Sequence, residues 1–143
     1  MALEKIVLNA LGLDLSKRVV QTTTVSASPA LAAETVVATT PAFDASVPFV
    51  TGVIIMVDLA YTIGTSGTAC TVKIRQTNVS GTVLFNSGAQ TGGHNTAGQL
   101  VADSATGFDT APVAGQTYCV TLQVTAGAAA STVSAVTLVA IAI

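Results

Sequence analysis

Large apolar residues alternate with small or polar residues over long stretches of this chain. From Phe49 to Ile63 the largest apolar side chains fall on odd positions, whereas the even positions include Asp58. The same period of two returns in residues 70–77 and 117–124. Because successive side chains of a strand point to opposite faces of its sheet, this pattern predicts half-buried β-strands.

Turn-forming segments separate these strands. Residues 64–67 and 78–81 are rich in Gly, Ser and Asn, and such clusters between alternating segments are typical of turns. The chain contains seven or eight such strands, and no pattern after residue 32 indicates a helix. We therefore predict an all-β fold, a jelly-roll-like sandwich or barrel. An immunoglobulin-like sandwich is the second choice, because the chain has no Trp to pack in its core.

The first part of the chain differs from the rest in charge. Residues 1–18 hold five of the twelve charged residues, and a stretch of small residues follows them. We predict that residues 1–32 form an extended N-terminal arm and that residues 33–143 form the sandwich body. The arm has apolar residues at helical and then at strand spacing, so it packs either on its own body or on a neighbouring subunit. The predicted anchors of the arm are Leu3, Ile6, Val7, Leu11, Leu13 and Leu15.

The C-terminal segment is apolar on both faces of its predicted strand. From Val136 onward neither set of alternating positions is polar enough to face water along its length. Such a strand is either a subunit interface or the central strand of a covered sheet. We predict the interface, with contact residues Val136, Leu138, Val139, Ile141 and Ile143.

Low charge is the most unusual feature of the composition. Only 8% of the residues are charged, whereas an average soluble domain has about 25%. A domain of this size leaves about a third of its surface in water, which so few charges cannot cover. We therefore expect apolar surface to be covered by other copies in a symmetric homo-oligomer. The net charge of -2 argues against nucleic-acid binding.

A membrane span is not predicted, although the mean hydropathy of +0.70 is high. The one segment that could span, the uncharged residues 126–143, contains four Ser and Thr residues and has no Lys or Arg beside it. Its β-branched residues favour a strand over a spanning helix.

The sequence contains no convincing catalytic or metal-binding pattern. His94 is the single histidine and lies in a Gly-rich loop, without a partner nearby in sequence for acid–base chemistry. Cys70 and Cys119 are 49 residues apart and lack the spacing of metal ligands. They are buried free thiols or, alternatively, a disulfide between neighbouring strands. We predict no catalytic residue, no cofactor and no metal, and hence a protein that is not an enzyme.

Three segments of the body resemble the small β-sandwich modules of phage virion proteins: residues 71–84, 108–125 and 132–140. With the predicted arm, the chain is similar to the auxiliary capsid (decoration or cement) proteins of tailed bacteriophages. The resemblance implies a homotrimer seated on the outer surface of the virion capsid, where it binds the lattice of the major capsid protein. Its arms would reach neighbouring subunits and stabilise the shell. The resemblance is one of pattern, and no functional residue is carried over.

Two other functions remain open. The first is a trimeric jelly-roll module of a virion fibre that binds a receptor or carbohydrate. Sugar sites usually stack an aromatic ring against the sugar, and this chain has only two Tyr and four Phe, most of them on the predicted core positions. The second is a self-assembling subunit of a surface layer or pilus, which would form open filaments or sheets.

Overall fold

The computed structural model of the chain describes residues 15–27, 31–44, 51–91 and 96–143. A short helix and eight strands lie within these ranges, with a 3-10 turn at Ala128–Ala130 before the last strand. Their bounds are α1 (Leu15–Arg18), β1 (Val19–Ala27), β2 (Thr35–Thr39), β3 (Val53–Thr62), β4 (Cys70–Gln76), β5 (Val83–Asn86), β6 (Leu100–Asp109), β7 (Tyr118–Val124) and β8 (Thr132–Ala142). None of the helical segments in this part of the chain has the length and apolar character needed to cross a membrane.

The strands form two four-stranded antiparallel sheets. The first sheet has the order β1-β8-β3-β6, and the second has the order β2-β7-β4-β5. This alternation of strands between two sheets is the arrangement of a jelly roll, in which two Greek keys are wrapped around one core. The structure thus confirms the predicted all-β, jelly-roll-like sandwich.

The core lies between the two sheets and follows the period of two seen in the sequence. On β3 the odd positions from Val53 to Tyr61 face inward and are at most 2% exposed, while the even positions face outward. On the second sheet, β4 and β7 supply most of the opposing core residues. The rings of Phe43 and Tyr118 meet edge to face, with centroids 6.3 Å apart.

A buried carboxylate connects the two sheets. Asp109 ends β6 of the first sheet, and its side chain accepts hydrogen bonds from the Tyr118 hydroxyl at 2.9 Å and the Gln76 amide at 2.7 Å, both in the second sheet. The backbone N–H of Ala111 donates to the same carboxylate at 3.0 Å. Burial, and then the bond to Asp109, raise the pKa of Tyr118. The structure therefore gives this Asp a role in sheet packing.

The boundary of the predicted arm is too late in the sequence. Residues 19–27, assigned to the arm, form β1 and pair with β8 from Val19 opposite Ile141 to Ala27 opposite Val133. Leu31 is also part of the core. β1 was not predicted as a strand because its run of Thr residues is polar. An edge strand such as β1 needs only one apolar face. Residues 1–14, which contain all the predicted anchors except Leu15, lie outside the described residues, so the arm itself stays a prediction there. Leu15 begins α1.

β8 is an interior strand of the first sheet and lies between β1 and β3. Val136 and Leu138 are fully buried in the core, so the interface prediction is wrong for these two residues. Val139 and Ile141 take the alternate positions, on the outer face, and Ile143 follows the strand with 37% exposure. For these three residues the interface stays a prediction.

Candidate interaction face

The outer face of the first sheet carries two apolar rows at one end. Strand pairing places residues of β1, β8, β3 and β6 side by side, in that order, along each row. The first row is apolar throughout, and the second is apolar at its two central positions. The first row is Val19, Ile141, Ile54 and Phe108, and the second is Gln21, Val139, Met56 and Thr106. We call the six apolar members of these rows, Val19, Ile54, Met56, Phe108, Val139 and Ile141, the apolar patch.

The apolar patch is open to solvent in the protomer. Val19 is 38% exposed, Met56 is 41% exposed and Phe108 is 42% exposed. Ile54, Val139 and Ile141 lie between them and are half-buried. Single exposed apolar residues are ordinary, but six neighbours spread over four strands form a contiguous surface of the kind that marks an interaction site.

A glycine fixes the edge of this patch. Gly52, directly before β3, has a φ of 153°, and a Cβ there would lie 2.3 Å from the Asp109 carbonyl and 3.0 Å from the Phe108 ring. The backbone of Gly52 exchanges hydrogen bonds with Ile143, at 3.2 Å and 2.9 Å. Since any other residue would push against Phe108, the glycine allows that ring to lie close to the sheet.

Beyond the apolar patch, the third row of the same face is polar and contains Thr23, Thr137, Asp58 and Ser104. On β8, β3 and β6 the next row has only small residues, Ala135, Ala60 and Ala102. Asp58 is exposed, and it borders a shallow depression that also reaches Asp103. The Asp103 carboxylate already accepts a hydrogen bond from the buried Tyr61 hydroxyl at 2.8 Å. Burial, and then this bond, raise the pKa of Tyr61.

The outer face of the second sheet is organised around one ion cluster. Glu34 precedes β2 and accepts hydrogen bonds from Arg75 at 2.5 Å and 2.9 Å, from Lys73 at 2.6 Å and from the Thr121 hydroxyl at 2.7 Å. The paired side chains of Glu34, Lys73 and Arg75 are only 13–19% exposed. We call these four residues the Glu34 cluster.

The Glu34 cluster binds four parts of the fold together. Glu34 lies in the segment between β1 and β2. Lys73 and Arg75 belong to β4, and Thr121 belongs to β7. Arg75 also donates to the carbonyl of Gly81 in the β4–β5 turn, at 2.9 Å. The bond to Arg75 is the main cause that lowers the Glu34 pKa to about 2, and the bonds to Lys73 and Thr121 add to it against the opposing effect of burial. The alternation in residues 70–77 places Lys73 and Arg75 on one face of a strand. The sequence did not indicate that the Glu34 carboxylate reaches them.

The two cysteines are buried free thiols. Cys70 lies beside Val124 on β7, with its side chain toward the core, whereas Cys119 lies opposite Arg75 on the outer face of the same sheet. Residues on opposite faces of a sheet cannot be bridged without backbone movement, which accounts for the free state. Burial is the main cause that raises the pKa of both thiols, that of Cys119 to about 11.

The described residues contain no group of three or more His, Cys, Asp or Glu placed to hold a metal ion. His94 lies outside the described residues. The side chains of Tyr61 and Tyr118 are fully buried, and Phe43 is 2% exposed, so these rings cannot stack against a sugar. In the described ranges Phe108 is the aromatic residue with the large exposed surface, and it belongs to the apolar patch.

No protein-family model matches this chain, and no curated protein matches it significantly. Solved structures of similar fold include T=1 particles derived from infectious bursal virus, with 14% identity and a TM-score of 0.54 over 87% of this chain and 31% of that chain. A subviral particle of infectious bursal disease virus aligns with 16% identity and a TM-score of 0.52 over 87% of this chain and 32% of that chain. Bacillus endospore appendages, a family of disulfide-linked pili, align more weakly, with 17% identity and a TM-score of 0.44 over 87% of this chain and 88% of that chain.

The chain therefore spans about a third of the length of the two viral chains. At these identities the viral alignments show a shared fold.

Proposed function

We propose that this chain is a structural virion protein that binds the outer capsid as a symmetric homotrimer and stabilises the shell through contacts between its copies. It does this without catalysis. The jelly-roll fold, which the chain shares with capsid particles, and its sequence resemblance to auxiliary capsid proteins of tailed phages both support this role.

The observation that carries the proposal is the apolar patch on the first sheet. The patch combines six apolar side chains with no charged neighbour in its two rows. Removing apolar surface from water contributes about 25 cal/mol per Å². A single patch of this kind gives a weak contact, and symmetry multiplies it because each copy presents the same surface.

The small number of charged residues on the outer face of the first sheet also supports the proposal. In the four rows described above, Asp58 is the one charged residue, and it lies outside the apolar patch. Charged residues are depleted at the centres of protein interfaces, and polar residues form the rim. The patch with its polar neighbours has this composition.

Light scattering on the full chain tests the proposal. We expect the mass of three chains at micromolar concentration, and a roughly tenfold weaker association for Met56→Lys, because an unpaired ammonium would be buried in the contact. Ala102→Lys is the matched control, since residue 102 is exposed on the same face outside the patch. A monomeric full chain, or equal association of the two variants, would contradict the proposal.

A further inference from the structure

A cavity opens between β5 and β6, which are edge strands of the two sheets. We propose that this cavity binds a primary ammonium group on a short alkyl chain, presented either by a free amine or by the lysine side chain of another protein. Such a site goes beyond the proposed function, because binding in the cavity requires no contact between copies.

The cavity forms where the side chain between the two edge strands is small. Near Gly107 the strands are close, since a Cβ at this residue would lie 3.3 Å from the Cβ of Leu84 on the opposite sheet. The preceding inward-facing residue of β6 is Ala105, whose methyl group does not fill the gap. The remaining space has a volume of about 200 Å³, which is room for about six atoms at about 30 Å³ per water molecule.

Four apolar side chains line this cavity. Val57 of β3 and Val72 of β4 are buried core residues and line it from the two sheets. Phe85 on β5 and Ala105 on β6 line it from the edges and pack against the same core. Lys side chains bury their methylene groups against such surfaces while the charged end meets a polar group. An alkyl chain therefore fits these walls.

One carboxylate lies among the apolar walls. Asp103 pairs with the buried Leu59 of β3, so its side chain points to the inner side of the first sheet and lines the cavity. The hydroxyl of the fully buried Tyr61 donates to the Oδ2 atom of Asp103 at 2.8 Å and holds the carboxylate in place. Among the described residues Tyr61 is the only donor to this carboxylate. Since an ionised carboxylate accepts about four hydrogen bonds, Oδ1 is available to a ligand.

The charge of Asp103 has no counter-ion in the part of the chain that the structure describes. None of the salt bridges there includes Asp103. Lys73 and Arg75, the two cations of the body, lie on the outer face of the second sheet and pair with Glu34. Partial burial of an unpaired carboxylate costs free energy, which a cation bound beside it would offset.

The neighbouring polar side chains leave the carboxylate free for a ligand. The Ser87 hydroxyl donates to the Gly88 carbonyl at 2.7 Å and accepts from the Val72 N–H at 3.0 Å, so its hydrogen is already used. The Gln90 amide nitrogen donates to the Ser87 carbonyl at 2.5 Å. The cavity therefore favours a ligand that donates hydrogen bonds.

A primary ammonium fits this carboxylate better than a guanidinium or a hydroxyl does. A guanidinium pairs with both oxygens of a carboxylate, but Oδ2 of Asp103 already accepts from Tyr61. A hydroxyl donates one hydrogen bond and carries no charge to balance the carboxylate. An ammonium is a compact point charge with three donors, so it can bind at Oδ1 alone.

Titration of the ¹⁵N-labelled full chain with n-butylammonium chloride, at constant ionic strength, tests this inference. The backbone amide signals of Phe85 and Ala105 report occupancy of the cavity. Asp103→Asn should weaken binding about tenfold or more, because it removes the charge and keeps an acceptor for the Tyr61 hydroxyl. Asp58→Asn is the matched control, since it removes the same charge from the outer face and does not line the cavity. Its dissociation constant should stay within about twofold of the parent value.

A second pair of variants changes the space and leaves the charge unchanged. Ala105→Leu fills the cavity and should weaken n-butylammonium binding about tenfold, whereas Ala102→Leu, on the exposed outer face, should have no effect. Equal dissociation constants for Asp103→Asn and Asp58→Asn would overturn the inference. So would n-butanol, the neutral analogue, if it bound as tightly as n-butylammonium.

A blocked lysine, Nα-acetyl-lysine N-methylamide, distinguishes the two sources of the ammonium group. Binding at least as tight as that of n-butylammonium would assign the cavity to the lysine side chain of another protein. Tighter binding of n-butylammonium would assign it to a free amine. If neither probe shifted the Phe85 and Ala105 signals, the inference would be wrong.

Discussion

The two outer faces of this sandwich differ in how their polar and apolar groups are satisfied. On the second sheet, Glu34, Lys73 and Arg75 meet one another, and the protomer itself completes their bonding. On the first sheet, Met56 and Phe108 remain 41% and 42% exposed in the part of the chain that the structure describes. The comparison teaches that three of the seven charged residues of the body satisfy one another on the second sheet, whereas the first sheet keeps exposed apolar side chains, the surface that we propose for contacts between copies.

The largest expected difference between the faces concerns stability. Glu34→Gln should lower the free energy of unfolding by about 2 kcal/mol, because it leaves two poorly exposed cations without their carboxylate. This value is below that of a fully buried pair because water still reaches the cluster. Urea unfolding followed by circular dichroism measures the change.

Asp58→Asn is the matched control for that substitution. It removes a carboxylate from the exposed polar row of the first sheet, so the free energy of unfolding should stay within about 0.5 kcal/mol. Equal losses in the two variants would show that the Glu34 cluster does not hold the second face together.

Acid should lower the free energy of unfolding by protonating the Glu34 carboxylate on the second sheet. The Glu34 pKa is lowered from 4.5 to about 2, so the ionised form stabilises the folded state. This contribution is complete above pH 4.5 and is lost as the pH falls toward 2. After allowance for solvent screening it amounts to about 1–2 kcal/mol.

Between pH 5 and pH 2, the free energy of unfolding should therefore depend less steeply on pH for Glu34→Gln than for the parent chain. A Glu34→Gln variant with an unchanged slope would assign the acid sensitivity to other carboxylates.

The smallest expected effect is a change in thiol reactivity. Cys119 pairs with Arg75 beneath the Glu34 cluster, and its pKa is raised to about 11, so it should react slowly at neutral pH. Glu34→Gln should loosen Arg75 and raise the labelling rate of Cys119 by about twofold to fivefold, since a thiol reacts more readily when exposed. Cys70 faces the core and should keep its rate, as read by mass spectrometry of the labelled peptides.

Much of the fold could be predicted from the sequence, because its strands are patterned. The odd positions of β3 and the alternation in β4 and β7 gave the two-layered architecture. β1 was missed since an edge strand buries only one face, and its outward positions include Gln21 and Thr23. The role of β8 could not be decided from the sequence, because two apolar faces fit a central strand as well as an interface.

The apolar patch and the Glu34 cluster could not be predicted because both depend on register. Only the pairing of β3 with β8 and β6 places Ile54 beside Ile141 and Phe108. The same pairing places Met56 beside Val139. Glu34 lies 39 residues from Lys73 and 87 residues from Thr121, so no local pattern connects them. The candidate site is therefore a product of topology.

Oxidation of Met56 tests the central claim most directly, namely that the apolar patch is the contact surface between copies. Peroxide converts an accessible Met to its sulfoxide, and Met56 is 41% exposed in the protomer. Its oxidation rate should fall at least fivefold between a dilute, dissociated sample and a concentrated, associated one. A Met introduced by Ala102→Met, outside the patch, should oxidise at the same rate in both. A Met56 rate that stays constant while the protein associates would contradict the account.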